Sequence, residues 1–522
     1  MHLPSFSNLN SAPASGVSTS FRKPTLSKRK TLVSFVFKSL LFAAVLTSCA
    51  SPTPTPPPPT LIPTSPASPI PATAGSATPT PTAVPAPARA QYTMNVVLDY
   101  ANKSVAVDET IVYPNRAPQP LTDLELAVEP NFWQGCFTLQ SLSLDESAVT
   151  DYTLDAQKLS FSLPNVLPPG SVVTLKLQYS LALPLIEPTN PNLSRPRIFG
   201  YSDRQVNLTN WYPFVVPNIN GKWVLHDPWY YGEHLVYDAA DYVVNLKQAD
   251  PAVHPVIASS GAPAQNGEWT TYTLTAGRTF AISASTEFLT LSTQVGDVTV
   301  TSYYLQQLYQ GAGQAALNAA AQALQVYSER YGPYPHRTLA IVEGDFNDGM
   351  EFSALFFHSR GIYNLYDGTI NNLLVAVAVH ETAHQWWFEQ VANDQALQPW
   401  LDEALATYSE HIYYETVSPA SVTQWWWIYR IDAYQPQGWV DIPIYTGNGF
   451  QPYTNAVYFR GAHFLDDLRK RIGDDAFFAF LQDYLAQENG KIASASDFFR
   501  ILATHTSTDY SDIVRQYFQN VY

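Results

Sequence analysis

The chain has 522 residues, with 28 Lys and Arg against 44 Asp and Glu, a formal net charge of −16. That length exceeds one ordinary core, so two or more globular units are expected. So acidic a balance excludes phosphate-backbone binding as a main activity, and two cysteines exclude a disulfide framework.

The first 48 residues hold no acid and six bases, Arg22, Lys23, Lys28, Arg29, Lys30 and Lys38. The apolar run from Leu40 to Leu46 then ends in Leu46-Thr47-Ser48-Cys49. A basic region, a short apolar core and small residues before a cysteine fit a bacterial lipoprotein signal peptide over 1–48, with Cys49 as the lipidated mature N-terminus. A transit peptide is the alternative that the Ser-rich, acid-free start allows. Lys38 leaves too short an apolar run to span a bilayer comfortably.

Residues 49–90 are rich in Pro, Thr and Ala and nearly uncharged, so they read as a disordered linker. Forty extended residues at about 3.1 Å each would hold a domain up to ~120 Å from a lipid surface. The expectation is an extracytoplasmic protein anchored to the lipid bilayer of the cell membrane through acylated Cys49. Without the leader bases, 22 basic residues face 44 acidic ones, a net charge near −22, and no nucleic-acid partner is expected. Cys136 then has no partner for an intrachain disulfide.

From residue 91 to 295 the pattern is β. "YTMNVVLDYANKSVAVDETIVYPN", "VVTLKLQYSLAL" and "EWTTYTLTA" alternate apolar and polar residues between Pro, Gly and Asn breaks. An antiparallel β-saddle or sandwich is expected there. After "VGDVTVTSYYL" the period becomes helical in "GQAALNAAAQALQVYSERYG", so a second, mainly helical α+β domain is placed at 296–522. Its helices are expected at Asn372–Ala392, about Pro399–Glu415, Val422–Tyr434, Ala456–Ile472 and Asp475–Gln487, followed by two short ones.

Within the first of these, "VAVHETAHQWWFEQV" sets His380 and His384 four residues apart, on one helix face, with Glu381 beside them. Two imidazoles so placed can share one zinc ion, but catalytic zinc takes three protein ligands and keeps a fourth position for water. Glu403, eighteen residues past His384 in "PWLDEALATYSE", is the candidate third ligand. Pro399 suits a helix start, and Leu401, Ala404, Leu405 and Tyr408 mark an apolar face. Glu410, seven residues beyond Glu403 on the same face, could orient a histidine ligand by accepting its second N–H.

The spacing His380-Glu381-Thr382-Ala383-His384, then Glu403 within Trp400-Leu401-Asp402-Glu403-Ala404, resembles the zinc signature of the alanyl aminopeptidase (aminopeptidase N) family of gluzincin metallopeptidases. Asp348-Gly349-Met350-Glu351-Phe352 is similar to that family's Gly-Ala-Met-Glu-Asn strand, and Tyr458-Phe459-Arg460-Gly461 to its Tyr-x-Lys/Arg-Gly helix start. The resemblance covers about residues 91–522. It implies a β-saddle domain followed by a thermolysin-like catalytic domain, in a two-domain form without the relatives' helical C-terminal domain.

By that resemblance, one zinc ion per chain would be held by His380, His384 and Glu403, with Glu381 as general base and Tyr458 stabilising the oxyanion of a peptide substrate. Gly349, Met350 and Glu351 would bind the substrate, Glu351 taking its α-ammonium. The implied activity is removal of N-terminal residues from peptides. Asp348 and Phe352 depart from the family's Gly and Asn, so an endopeptidase or other altered metallohydrolase is an alternative. A non-catalytic surface lipoprotein is another. The family's second ammonium ligand is expected near Asn207 in "QVNLTNWYPF". "QWWWIYR" at 424–430 reads as core or pocket wall, and His336, His358, His411 and His463 as ordinary hydrogen-bonding residues.

Overall fold

The computed structural model describes residues 88–186, 198–346, 349–446 and 449–522. Cys49, the leader, nearly all of the linker, and Asp348 lie outside the described residues. Among the described residues no helix is long and apolar enough to cross a membrane.

The strand Ala90–Asp99 turns Tyr92, Met94, Val96 and Leu98 inward and its polar residues out, as its period requires. It is the fourth strand of an eight-stranded sheet running Ala262–Asn266, Trp269–Gly277, Ala240–Gln248, Ala90–Asp99, Ser104–Pro114, Val172–Ala182, Phe137–Leu144 and Ser147–Ala148. The sheet is not purely antiparallel as expected, because Ala90–Asp99 pairs in parallel with Ala240–Gln248. A long excursion of the chain separates these two strands, and parallel pairing needs such a crossover. Two four-stranded sheets, one centred on Leu121–Ala127 and Lys158–Leu167, the other on Val206–Leu208 and Ile282–Ser285, belong to the same half. Leu124, Leu175, Trp211 and Val244 are among the side chains of its core.

The second half is built on a five-stranded sheet in the order Leu289–Val295, Val298–Tyr304, Thr338–Gly344, Leu355–Ser359, Gly349–Phe352. Leu289–Val295 forms a hairpin with Val298–Tyr304, so it belongs to this sheet and not to the first half. The change of sheet therefore falls between Ser285 and Leu289 rather than at residue 295. A boundary at 296 keeps Val298–Tyr304 with the second half but separates it from its hairpin partner Leu289–Val295. Gln310–Arg330, Leu373–Ala383 and Trp400–Val417 pack on one another through Ala320, Tyr327, Val379, Leu405 and Tyr408.

Three helices differ from expectation. Asn372 caps the Leu373–Ala383 helix by accepting from the Val375 N–H at 3.1 Å, but the helix ends at Ala383 instead of continuing to Ala392. The chain turns after His384, whose ring Nδ1 donates to the Trp387 carbonyl at 3.0 Å. The turn holds Phe388 at φ 131°, a conformation that apolar periodicity cannot announce. Val422–Ile431 and Asn455–Arg460 form wider π turns rather than α-helix.

Candidate active site

The helix end and the neighbouring Trp400–Val417 helix bring three donor atoms together. His380 Nε2 lies 3.2 Å from His384 Nε2 and 3.2 Å from Glu403 Oε2, and His384 Nε2 lies 3.6 Å from that same oxygen. Zinc bonds of about 2.0–2.2 Å make a tetrahedral edge of roughly 3.3–3.6 Å, so the triangle fits one zinc ion with an open side. Two imidazoles and a carboxylate are also the donor types that catalytic zinc takes.

Both rings are oriented from behind. His380 Nδ1 donates to Glu410 Oε1 at 3.1 Å, and Glu410, fully buried, accepts from Arg430 Nη2 at 2.8 Å, Arg430 Nε at 3.0 Å and Trp426 Nε1 at 3.1 Å. Burial pushes the Glu410 carboxyl up, but Arg430 and His380 more than offset it and hold it below the usual range. The "QWWWIYR" segment thus supplies the support of a ligand histidine. Its π turn puts Trp426 and Arg430 on Glu410, four residues apart, and composition gave no sign of this.

Glu381 is buried beside the donors, and its Oε2 has no hydrogen-bond partner among the described residues. Burial pushes its carboxyl up to about 8, against the lowering pull of His380 and His384. A buried carboxylate oxygen left without a partner is costly unless something else meets it. Its other oxygen faces Gly349, where a Cβ would fall 2.1 Å from Oε1, so the strand approaches Glu381 this closely only because that residue is glycine.

Tyr458 comes from the π turn Asn455–Arg460. Its hydroxyl donates to Glu403 Oε1 at 2.5 Å, and its ring stacks on His380 with centroids 6.0 Å apart. Gly461, just beyond, lets the two helices meet: a Cβ there would lie 2.5 Å from that of Ala404. Gly349, Met350, Glu351, His380, Glu381, His384, Glu403 and Tyr458 line one cavity of about 100 Å³, with Tyr231 and Glu233 closing it from the β half. Glu351 accepts from Gln395 Nε2 at 3.1 Å, and the same amide reaches Asp402 Oδ2 at 3.0 Å. Burial raises both carboxyls, and the neighbouring Glu403 raises each of them further.

Asn207 is not in this cavity. It lies within the strand Val206–Leu208, buried, accepting from Ser283 Oγ at 2.7 Å. Asn210, three residues on and at φ 50°, lines the space behind Glu351 instead, together with Glu233, Phe352 and Gln395. The turn after the strand decides which asparagine faces inward. Phe352 is buried against Phe357 and contributes only its carbonyl, which accepts from Gln385 Nε2 at 3.0 Å. His336 and His463 bond to Glu389 and Asp432, whereas both ring nitrogens of His358 and Nδ1 of His411 are buried without partners among the described residues.

Residues 315–517, which hold all three donors, Glu381, Glu351 and Tyr458, match the family described as the Peptidase family M1 domain. The chain carries a peptidase family M1 domain. Among relatives, it is similar to aminopeptidase 2 of Candida albicans, 23% identical over 228 residues, which is 40% of this chain and 24% of that protein. Aminopeptidase N of Lactobacillus helveticus is 27% identical over 227 residues, 39% of this chain and 26% of that one. The chain spans about a quarter of the length of these relatives. Among solved structures, an M1 zinc metallopeptidase from Deinococcus radiodurans aligns with a TM-score of 0.58 at 20% identity, over 83% of this chain and 95% of that one. A two-domain M1 zinc metallopeptidase mutant bound to L-tryptophan aligns at 0.60, with 20% identity, over 84% and 96%. Both likenesses show that this chain shares their fold, a β-rich N-terminal region followed by a helical C-terminal one.

Proposed function

We propose that the protein is a zinc aminopeptidase that removes residues from the free N-termini of peptides. The observation that carries this is the convergence of three donors, an unpartnered buried carboxylate and a second carboxylate, Glu351, on one cavity. His380, His384 and Glu403 would hold the zinc ion, which when bound supplies Lewis acidity and makes water more acidic. Glu381, against Gly349, takes the proton of the attacking water and passes it to the leaving amine, a role worth about a hundredfold to ten-thousandfold.

The Tyr458 hydroxyl, now donating to Glu403, is placed to donate to the oxyanion of the scissile carbonyl. Glu351 receives the substrate ammonium, whose three N–H donors need more than one acceptor. Glu233 and Asn210, at the same wall, are further acceptors contributed by the β half. Tyr231 and Phe450, whose rings lie 6.5 Å apart, line the cavity where the two halves meet. A cavity of only about 100 Å³ beside the donors supports cleavage one residue from a chain terminus over cleavage within a chain. The helix carrying both histidines beside an edge strand, with the third donor on a second helix, supports a thermolysin-like reading of the second half.

Glu381→Gln tests the assignment. Zinc content should be unchanged and hydrolysis of aminoacyl amides lost. Retention of most activity would remove Glu381 from the role of base.

We also propose that the chain is lipid-anchored outside the cytoplasm, on the strength of the basic leader, its short apolar run and Cys49. Cys49→Ala should abolish incorporation of labelled fatty acid, and unchanged labelling would refute the anchor.

A further inference from the structure

The strand that carries Glu351 and the turn that follows His384 are tied together at one hydroxyl. Ser353, two residues past Glu351, is the first residue of the tight turn between Gly349–Phe352 and Leu355–Ser359. Its Oγ accepts from the Arg278 N–H at 2.8 Å and the Thr279 N–H at 2.9 Å, and donates to Glu389 Oε2. One donor and two acceptor sites are all that a hydroxyl has, so Ser353 is saturated. Its own N–H donates to Thr279 Oγ1 at 3.0 Å.

Each partner belongs to a different part of the site. Glu389 is on the ligand turn: its N–H donates to the His384 carbonyl at 3.0 Å, and its Oε1 meets His336 Nε2 at 2.6 Å. Arg278 comes from the β half and is fully buried. Its guanidinium donates to the carbonyls of Glu389 at 3.0 Å, Gln390 at 3.0 Å, Lys491 at 2.9 Å and Tyr237 at 3.2 Å. Gln385, next to His384, clasps the same hairpin turn, donating to the Phe352 carbonyl at 3.0 Å and accepting from the Ala354 N–H at 2.9 Å. The hairpin is thus fixed to the ligand turn on one side and to the β half on the other, through Ser353, Arg278, Gln385 and Glu389, none of which lines the cavity that Glu351 faces.

We propose that Ser353, held by Arg278, Thr279 and Glu389, is a positioning residue that sets the separation between the Glu351 carboxylate and the three-donor centre. That separation decides whether a free ammonium and the adjacent carbonyl can be held at once, and small misplacements at such a site are costly. The proposal rests on the reading of Glu351 as the ammonium anchor.

The test is calorimetric binding of two hydroxamates to the zinc-loaded protein. L-Alanine hydroxamate and propanohydroxamate differ only by the ammonium. Ser353→Ala should weaken L-alanine hydroxamate by at least about tenfold, the scale of one charge-assisted hydrogen bond, while propanohydroxamate affinity and zinc content stay within about twofold. Should that variant not fold, Thr279→Val, which removes the hydroxyl that accepts from the Ser353 amide and donates to Ser353 Oγ at 3.4 Å, carries the same prediction with a smaller shift. Equal weakening of both ligands would reduce the network to general support, and no weakening of either would overturn it outright. Wild-type protein that bound the two hydroxamates alike would instead refute the ammonium-anchor reading.

Discussion

Glu410 holds His380 by its Nδ1 at 3.1 Å, while the far nitrogen of the same ring joins the donor triangle. The carboxylate fixes both the tautomer and the direction of the ring, and Arg430 and Trp426 leave it little freedom. Glu410→Ala should therefore lower zinc affinity by roughly tenfold to a hundredfold, measured by competition with a chelator. Unchanged affinity would mean that the helix alone orients the ring.

Tyr458→Phe removes one hydroxyl and keeps the ring that stacks on His380. Turnover should fall by about a hundredfold to a thousandfold with zinc content unchanged, as measured by steady-state kinetics and metal analysis. A change confined to KM would assign Tyr458 to ground-state binding.

Gly349→Ala places a methyl 2.1 Å from Glu381 Oε1 and 2.9 Å from Val377 Cγ1. One of the three must move, and Glu381 is held least, since its Oε2 has no hydrogen-bond partner among the described residues. Turnover should drop by about a hundredfold while zinc binding persists, because neither Gly349 nor Glu381 belongs to the three-donor group.

The metal-free protein should lose stability as pH rises from 6 to 9. Burial pulls His380 down, but Glu403 and Glu410 outweigh it and raise the ring to about 9 from an ordinary 6.5. Its contribution is full below 6.5 and lost as pH rises through 9. Glu381, raised from 4.5 to about 8, keeps its proton only when folded, so it acts in the same direction over 4.5 to 8. Glu403, lowered to about 2 by the two histidines despite its burial, matters only toward acid pH. The melting temperature of chelator-treated protein should fall across this window. Zinc affinity should rise over the same range, since binding displaces the His380 proton. A flat melting profile would show that these groups are not protonated in the metal-free state.

Much of the site was legible because its chemistry is local. His380, Glu381 and His384 share one helical turn, and the donor at Glu403 heads a helix whose apolar face could be read. Glu410 followed from the same periodicity. Arg430 and Trp426 could not be read, because they reach Glu410 through a π turn that leaves no trace in hydrophobic spacing. That Asn210 rather than Asn207 lines the space behind Glu351 depends on a single positive-φ residue, which spacing does not reveal. The parallel pairing of Ala90–Asp99 with Ala240–Gln248 was hidden for a different reason: strand partners distant in sequence have no local signal. The helix stop at His384 depends on a side-chain-to-carbonyl bond, which the long apolar run concealed.

The central claim is tested most directly by digesting a peptide library that contains free and N-acetylated members, with and without a chelator, and reading the products by mass spectrometry. The account predicts stepwise loss of residues from free N-termini, no cleavage of acetylated peptides and no cleavage in chelator. Internal cuts in acetylated peptides, or cleavage that survives removal of the metal, would contradict it.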